Sequence, residues 1–172
     1  MPRRLVCCAV LALTAGAATA QELAPEGSFV INFTAVGVDP EPAIEIGPDR
    51  SMGIYEGLMT ASNSDGHGLL HNLTGRCLGW FTVDIAAASF ERHGRCAYTD
   101  TDGDTIWEEF TFAPQALAPV RIALGRWTGG TGKYEGIRGE FEIRVRGLRP
   151  AAAGFGHYIG TKQGSYRTVR SH

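Results

Sequence analysis

Past its first twenty residues the sequence has no long apolar run, no excess of basic charge and only two cysteines. Each shortage excludes something. A membrane-crossing helix needs about 20 consecutive apolar residues, and no later stretch approaches that, so no membrane span is expected. Sixteen Lys and Arg against eighteen Asp and Glu give a formal charge of −2. That balance lacks the electrostatic footprint of a nucleic-acid binder. No internal repeat, low-complexity tract or linker divides the 172 residues, a one-domain length able to enclose a core.

The first residues have a separate purpose. "MPRR" is a short basic region, "LVCCAVLALTAGAATA" is apolar and small, and Ala18-Thr19-Ala20 matches a signal-peptidase site. The expectation is a cleaved secretory signal over 1–20, a mature domain over 21–172, and a secreted or periplasmic location. Losing Arg3 and Arg4 would take the formal charge to about −4. A lipid anchor on Cys8 is the alternative, disfavoured by Cys7 before it and by the short apolar segment ahead. Cys77 and Cys96 are then the only mature thiols. In an oxidising compartment they are expected to form a disulfide, stabilising by about 3 kcal/mol through a loop of about twenty residues. The rival is a reactive or metal-binding pair, although neither cysteine belongs to a C-x-x-C unit.

Apolar residues recur every second position far more often than every third or fourth. Phe29, Ile31 and Phe33 alternate with Val30, Asn32 and Thr34. Ile106, Glu108, Phe110 and Phe112 oppose Trp107, Glu109 and Thr111. Phe141, Ile143 and Val145 interleave with Glu140, Glu142, Arg144 and Arg146, a strand with one apolar and one charged face. Turn-rich "NSDGHG" (63–68) and "TDTDGDT" (99–105) carry Asp-Gly, a strong hairpin signal. The proline-interrupted segments 38–49 and 113–119 read as loops.

These signals predict strands over 28–37, 50–60, 68–75, 76–84, 94–100, 105–112, 119–127 and 136–146. A further run at 155–167 closes the sheet or replaces one of them. "DIAAASFER", near 84–92, is the only helix-like piece. The fold class expected is all-β: a single antiparallel eight-stranded up-and-down barrel, with a two-sheet sandwich as alternative. Closure would remove exposed edges.

The glycine-rich "GGTGKYEG" around Lys133 invites comparison with a phosphate-binding loop. Such a loop needs Ser or Thr after the lysine and a helix beyond. Here Tyr134 follows and the next segment alternates as a strand. Lys133 is therefore expected to be a solvated turn residue.

"GGTGKYEGIRGEFEI" (Gly129 to Ile143) resembles the Gly-Gly-Thr-Gly, aromatic, Gly, strand segment of allene oxide cyclases, and dirigent proteins carry a similar stretch. "CAYTDTDGD" (Cys96 to Asp104) resembles a segment that secreted bacterial members of the same superfamily carry ahead of the glycine motif. The resemblance implies an eight-stranded antiparallel barrel of lipocalin-like proportions. It also implies chemistry without a cofactor: ring closure in a mostly apolar cavity for allene oxide cyclases, oriented radical coupling for dirigent proteins. The resembling segment is chiefly structural, so neither family's catalytic residues are carried over to this chain.

Three constellations remain. Asp100, Asp102 and Asp104 have the one-three-five spacing of a calcium loop, but Thr105 and Thr111 occupy its sixth and twelfth positions. A solvated hairpin turn is the competing reading. His67 and His71 would share a zinc ion only on a helix; on the strand expected there, about 13 Å separates the rings. Glu56, Arg76, Tyr98, Trp107 and Glu109 are candidate pocket-lining residues, because each interrupts an apolar strand or flanks one. Strand alternation alone leaves open which face is interior.

The functional expectation is a barrel binding a small, largely apolar ligand, without a cofactor and without nucleic acid. Its alternatives are a cofactor-free isomerase or cyclase, and a structural or interaction barrel with a filled interior.

Overall fold

The computed structural model describes residues 23–38 and 43–169. The expected signal peptide, its cleavage point and part of the 38–49 loop lie outside the described residues. The elements are β1 (Glu26–Val38), β2 (Ile44–Gly47), β3 (Arg50–Asn63), β4 (Leu73–Asp84), β5 (Ser89–Thr99), β6 (Thr105–Ala116), β7 (Val120–Gly130), β8 (Ile137–Leu148) and β9 (Phe155–Thr168). A single 3₁₀ turn, Gly132–Tyr134, stands between β7 and β8.

The strands run in the order β1-β9-β8-β7-β6-β5-β4-β3, and β1 also pairs with β3, closing an eight-stranded antiparallel barrel. The short β2 pairs with the first residues of β3 as an additional strand. Of the two architectures weighed from the sequence, the barrel is the one adopted. No helix among the described residues is long and apolar enough to cross a membrane.

Alternation produces this architecture directly. Phe29, Ile31 and Phe33, then Ile106, Phe110 and Phe112, then Phe141, Ile143 and Val145 are all buried. Their sequence neighbours face out, so each strand contributes one apolar row to a common interior. Three expectations need correction. The runs at 68–75 and 76–84 form one strand, β4, because 64–72 is a turn segment whose Leu69 and Leu70 are buried. Leu70 and Asn72 both take positive φ there, and Asn63 Nδ2 donates to the Leu69 carbonyl at 2.8 Å. His67 and His71 therefore sit in a turn rather than on a strand. The helix-like 84–92 is the end of β4, a tight turn and the start of β5: Ala87 N–H donates to Asp84 Oδ1, and Ile85 to Ala88 closes back on itself.

The two ends of the barrel differ. One end is filled by Leu23, Leu69, Leu70, Leu73, Tyr134 and Ile137, all buried. In the adjoining half of the bore, Phe29, Trp127 and Phe141 pack with ring centroids 4.3 to 5.8 Å apart. The other end, where β5, β7 and β9 begin, retains a cavity.

Candidate functional site

The sealed end joins the two sequence motifs. Asp100, at the end of β5, accepts the Asp102 N–H at 2.9 Å and the Asp104 N–H at 3.1 Å. It also accepts the Tyr134 hydroxyl at 2.9 Å. The Lys133 ammonium lies 2.7 Å from Asp100 and 3.9 Å from Asp104, and pairs with Asp102 as well. Its side chain is only 14% exposed, which overturns the expectation of a solvated turn lysine. A three-carboxylate cluster accumulates repulsion unless a cation neutralises it, and here the chain supplies that cation from 31 residues away. Lys133 thus occupies the place that the calcium alternative gave to a metal. Burial alone raises the Asp100 carboxyl, but the bonds from Lys133 and Tyr134 outweigh it and hold the group below its ordinary value.

Midway along the bore, β6 and β9 place two charges on the apolar face. Glu108 and Lys162 form an ion pair, and both are almost fully buried. Glu108 points inward because it is in phase with Ile106 and Phe110; a register shift between β6 and β7 falls beside it, at Trp107/Glu108, where bulges commonly re-aim side chains. Lys162 Nζ also donates to the Tyr98 hydroxyl at 2.7 Å. Burial lowers the Lys162 ammonium against the opposing pull of Glu108. Burial, then the Glu108 carboxylate, raises the Tyr98 phenol well above its ordinary value.

Above this pair lies a cavity of about 70 Å³. Its walls are mainly apolar, from Phe33, Met59, Phe110, Phe112 and Ile143, with Glu108, Lys162, Tyr55 and Arg92 also reaching it. Gly94 makes space for Tyr55: a Cβ at that position would meet the tyrosine hydroxyl at 2.0 Å. Glu108 Oε1 and the Tyr55 hydroxyl are buried without a hydrogen-bond partner among the described residues. Both residues line the same small, mainly apolar space, with their unpartnered oxygens packed into its wall.

Of the five pocket residues proposed from sequence, the structure brings only Tyr98 into the interior. Glu56 and Arg76 pair with each other on the outer surface at 2.6 Å. Glu109 pairs outside with Arg126 at 2.9 Å, and Trp107 is 42% exposed. The reason is phase: Trp107 and Glu109 flank Glu108, so one residue of shift exchanges the inner and outer faces. Cys77 and Cys96 are cross-strand partners on β4 and β5, and they form the disulfide. The interior residues missed were Tyr55, Arg92, Glu108 and Lys162. Glu108 carried a readable signal, a carboxylate in step with three apolar neighbours. Arg92 was hidden by the helix-like reading of its segment.

No protein-family model matches this sequence, and no curated protein does. Among solved structures, the pterocarpan synthase dirigent protein is similar in fold, with a TM-score of 0.54 at 14% identity, covering 88% of this chain and 92% of that one. The likeness extends to the fold, an eight-stranded antiparallel barrel as the two motifs implied.

Proposed function

We propose that this protein is a secreted or periplasmic barrel that binds a small, largely apolar ligand in the open half of its bore. The observation that carries this reading is the cavity itself. Its walls are mainly aromatic and aliphatic, yet Glu108 and Tyr55 within them carry oxygens without a hydrogen-bond partner among the described residues. Unpaired buried polar groups cost free energy unless something satisfies them. Such groups in the wall of an apolar cavity fit a site for a small molecule better than a packed core. The resting volume is well below the 300 Å³ or more of drug-sized sites, which favours a ligand of few heavy atoms. The disulfide fits an oxidising compartment, and the fold shared with a dirigent protein fits a barrel that handles a small organic molecule.

A second reading, a cofactor-free isomerase or cyclase, draws on one further observation. Glu108 and Lys162 reach the same cavity, so a carboxylate and an ammonium are available there to take and give a proton. The ligand reading is primary because it requires only occupancy.

Methyl NMR with 1-butanol as probe tests it. Saturable shifts are expected at the methyls of Met59, Ile143 and Val145, in the millimolar range suited to so small a ligand. The methyls of Leu124, 71% exposed on the outer face, are expected to stay unmoved. Absence of any saturable shift would leave the filled, structural barrel as the surviving reading.

A further inference from the structure

At the open end of the barrel two cations have no ion-pair partner among the described residues: Arg92 lines the cavity and Arg121 stands beside it. Arg92, from β5, stacks over Tyr55 with its guanidinium carbon 4.2 Å from the ring centroid, and 5.1 Å from that of Phe90. Arg121, from the start of β7, lies 4.7 Å from the same Phe90 ring and 5.9 Å from that of Tyr158. Both guanidinium groups thus approach one phenyl ring, which places their charges about 10 Å apart or closer. The Nε of each is buried and lacks a hydrogen-bond partner among the described residues. The contrast with the other sequestered cations is direct. Lys133 has three carboxylates and Lys162 has Glu108, whereas no described carboxylate lies within ion-pair distance of Arg92 or Arg121.

Stacking on aromatic faces accounts for the position of both side chains but not for their in-plane N–H groups. A guanidinium held by its face keeps its donors free at the edge, in a fork that matches a carboxylate. Two such groups side by side also repel. Burial, followed by the neighbouring Arg92 charge, lowers the Arg121 guanidinium against the opposing pull of the Tyr158 hydroxyl. An anion seated between them would relieve the repulsion and accept from the terminal N–H groups of each fork. Tyr158 borders both Arg121 and the cavity, so that seat opens directly onto apolar walls.

We infer that the ligand is a small carboxylic acid bound as its anion, with the carboxylate between Arg92 and Arg121 and a short apolar chain entering the cavity beneath. This rests on the ligand-binding reading above and specifies its chemistry. The free volume of about 70 Å³ is less than half that of an apolar cavity of about 150 Å³ that admits benzene. The chain that enters is therefore short and unbranched or nearly so. Glu108 sets the inner limit: its carboxylate neutralises Lys162 and repels a second acid group, so the anion stays at the mouth.

Butyrate, 1-butanol and butyl phosphate, titrated at low salt and read on the same methyl resonances, separate the possibilities. Butyrate is expected to bind about tenfold or more tighter than 1-butanol, because charge-assisted bonds add to the same apolar contact. The double variant Arg92→Gln, Arg121→Gln is expected to bring the two affinities within about twofold. Should the glutamine pair fail to fold, Arg92→Lys and Arg121→Lys keep the charges, lose the planar fork, and are expected to lose most of the preference. Equal affinities for butyrate and 1-butanol in the wild type would overturn the acid while leaving a ligand-binding barrel. Butyl phosphate binding more than about tenfold tighter than butyrate would overturn the carboxylate in favour of a phosphate monoester. Binding of none of the three would overturn the ligand reading itself.

Discussion

The residue with the greatest energetic consequence is Glu108. An ionised carboxylate inside a barrel is tolerable only because Lys162 meets it from the opposite wall. Removing one partner strands the other. Glu108→Leu and Lys162→Met are each expected to lose about 3–5 kcal/mol of unfolding free energy, and the double variant less than either single. Urea unfolding of all four proteins checks this, and additive losses would show that the two charges are uncoupled. At this scale the sequence was half legible. Glu108 stood in phase with Ile106, Phe110 and Phe112, and that phase alone marks it as interior. Its partner was not legible, since Lys162 lies 54 residues further on and only the closed ring brings β6 and β9 to face each other.

At the scale of the element, the notable unit is the seal made by the hairpin turn after β5 and the glycine turn after β7. Each turn could be read from its glycines and aspartates. Their union could not, because Lys133 bonds across to Asp100 and Asp102 and nothing local in "GGTGKYEG" specifies that reach. Gly132 is the tightest point of the contact. Its φ is +52°, and a Cβ there would stand 1.9 Å from Asp104 Oδ1. Gly103, in the opposing turn, also has positive φ, +88°, but has nothing within 4 Å of a built Cβ. Gly132→Ala is thus expected to cost more than the roughly 1 kcal/mol of backbone strain that Gly103→Ala incurs. Thermal melts of the two variants decide it: equal shifts would mean that the turns do not depend on close contact. The segment 84–92 was misread for a related reason. Its alanines form a turn between β4 and β5, where helix propensity is overruled by the pairing of the flanking strands.

Across the whole molecule, the disulfide and the ring closure act on different parts of the stability. Cys77 and Cys96 are already opposed in the β4–β5 ladder, so the covalent bond leaves the pairing as it is and chiefly restricts the unfolded chain. Reduction is expected to lower stability by about 3 kcal/mol while leaving the far-ultraviolet circular dichroism of the native protein unchanged. Urea titrations with and without reductant measure the first, and loss of the β signal on reduction would contradict the second. The barrel was legible at this scale because nine alternating runs with short links leave few other ways to bury one face. The inner face was not, because period-two alternation looks the same from either side until a register is fixed.

Closure also imposes an order in time. Every neighbouring pair in the ring joins strands close in sequence except one: β1 meets β9, with Glu26 opposite Arg167. A chain emerging from its N-terminus can pair β1 with β3, and then each new strand with the last, while one edge of β1 waits for the final segment. Until β9 arrives, the growing sheet presents two unsatisfied edges and an uncovered apolar face, the state in which β-rich chains are most prone to aggregate. The last fourteen-residue strand is therefore the step that turns an exposed meander into a protected ring.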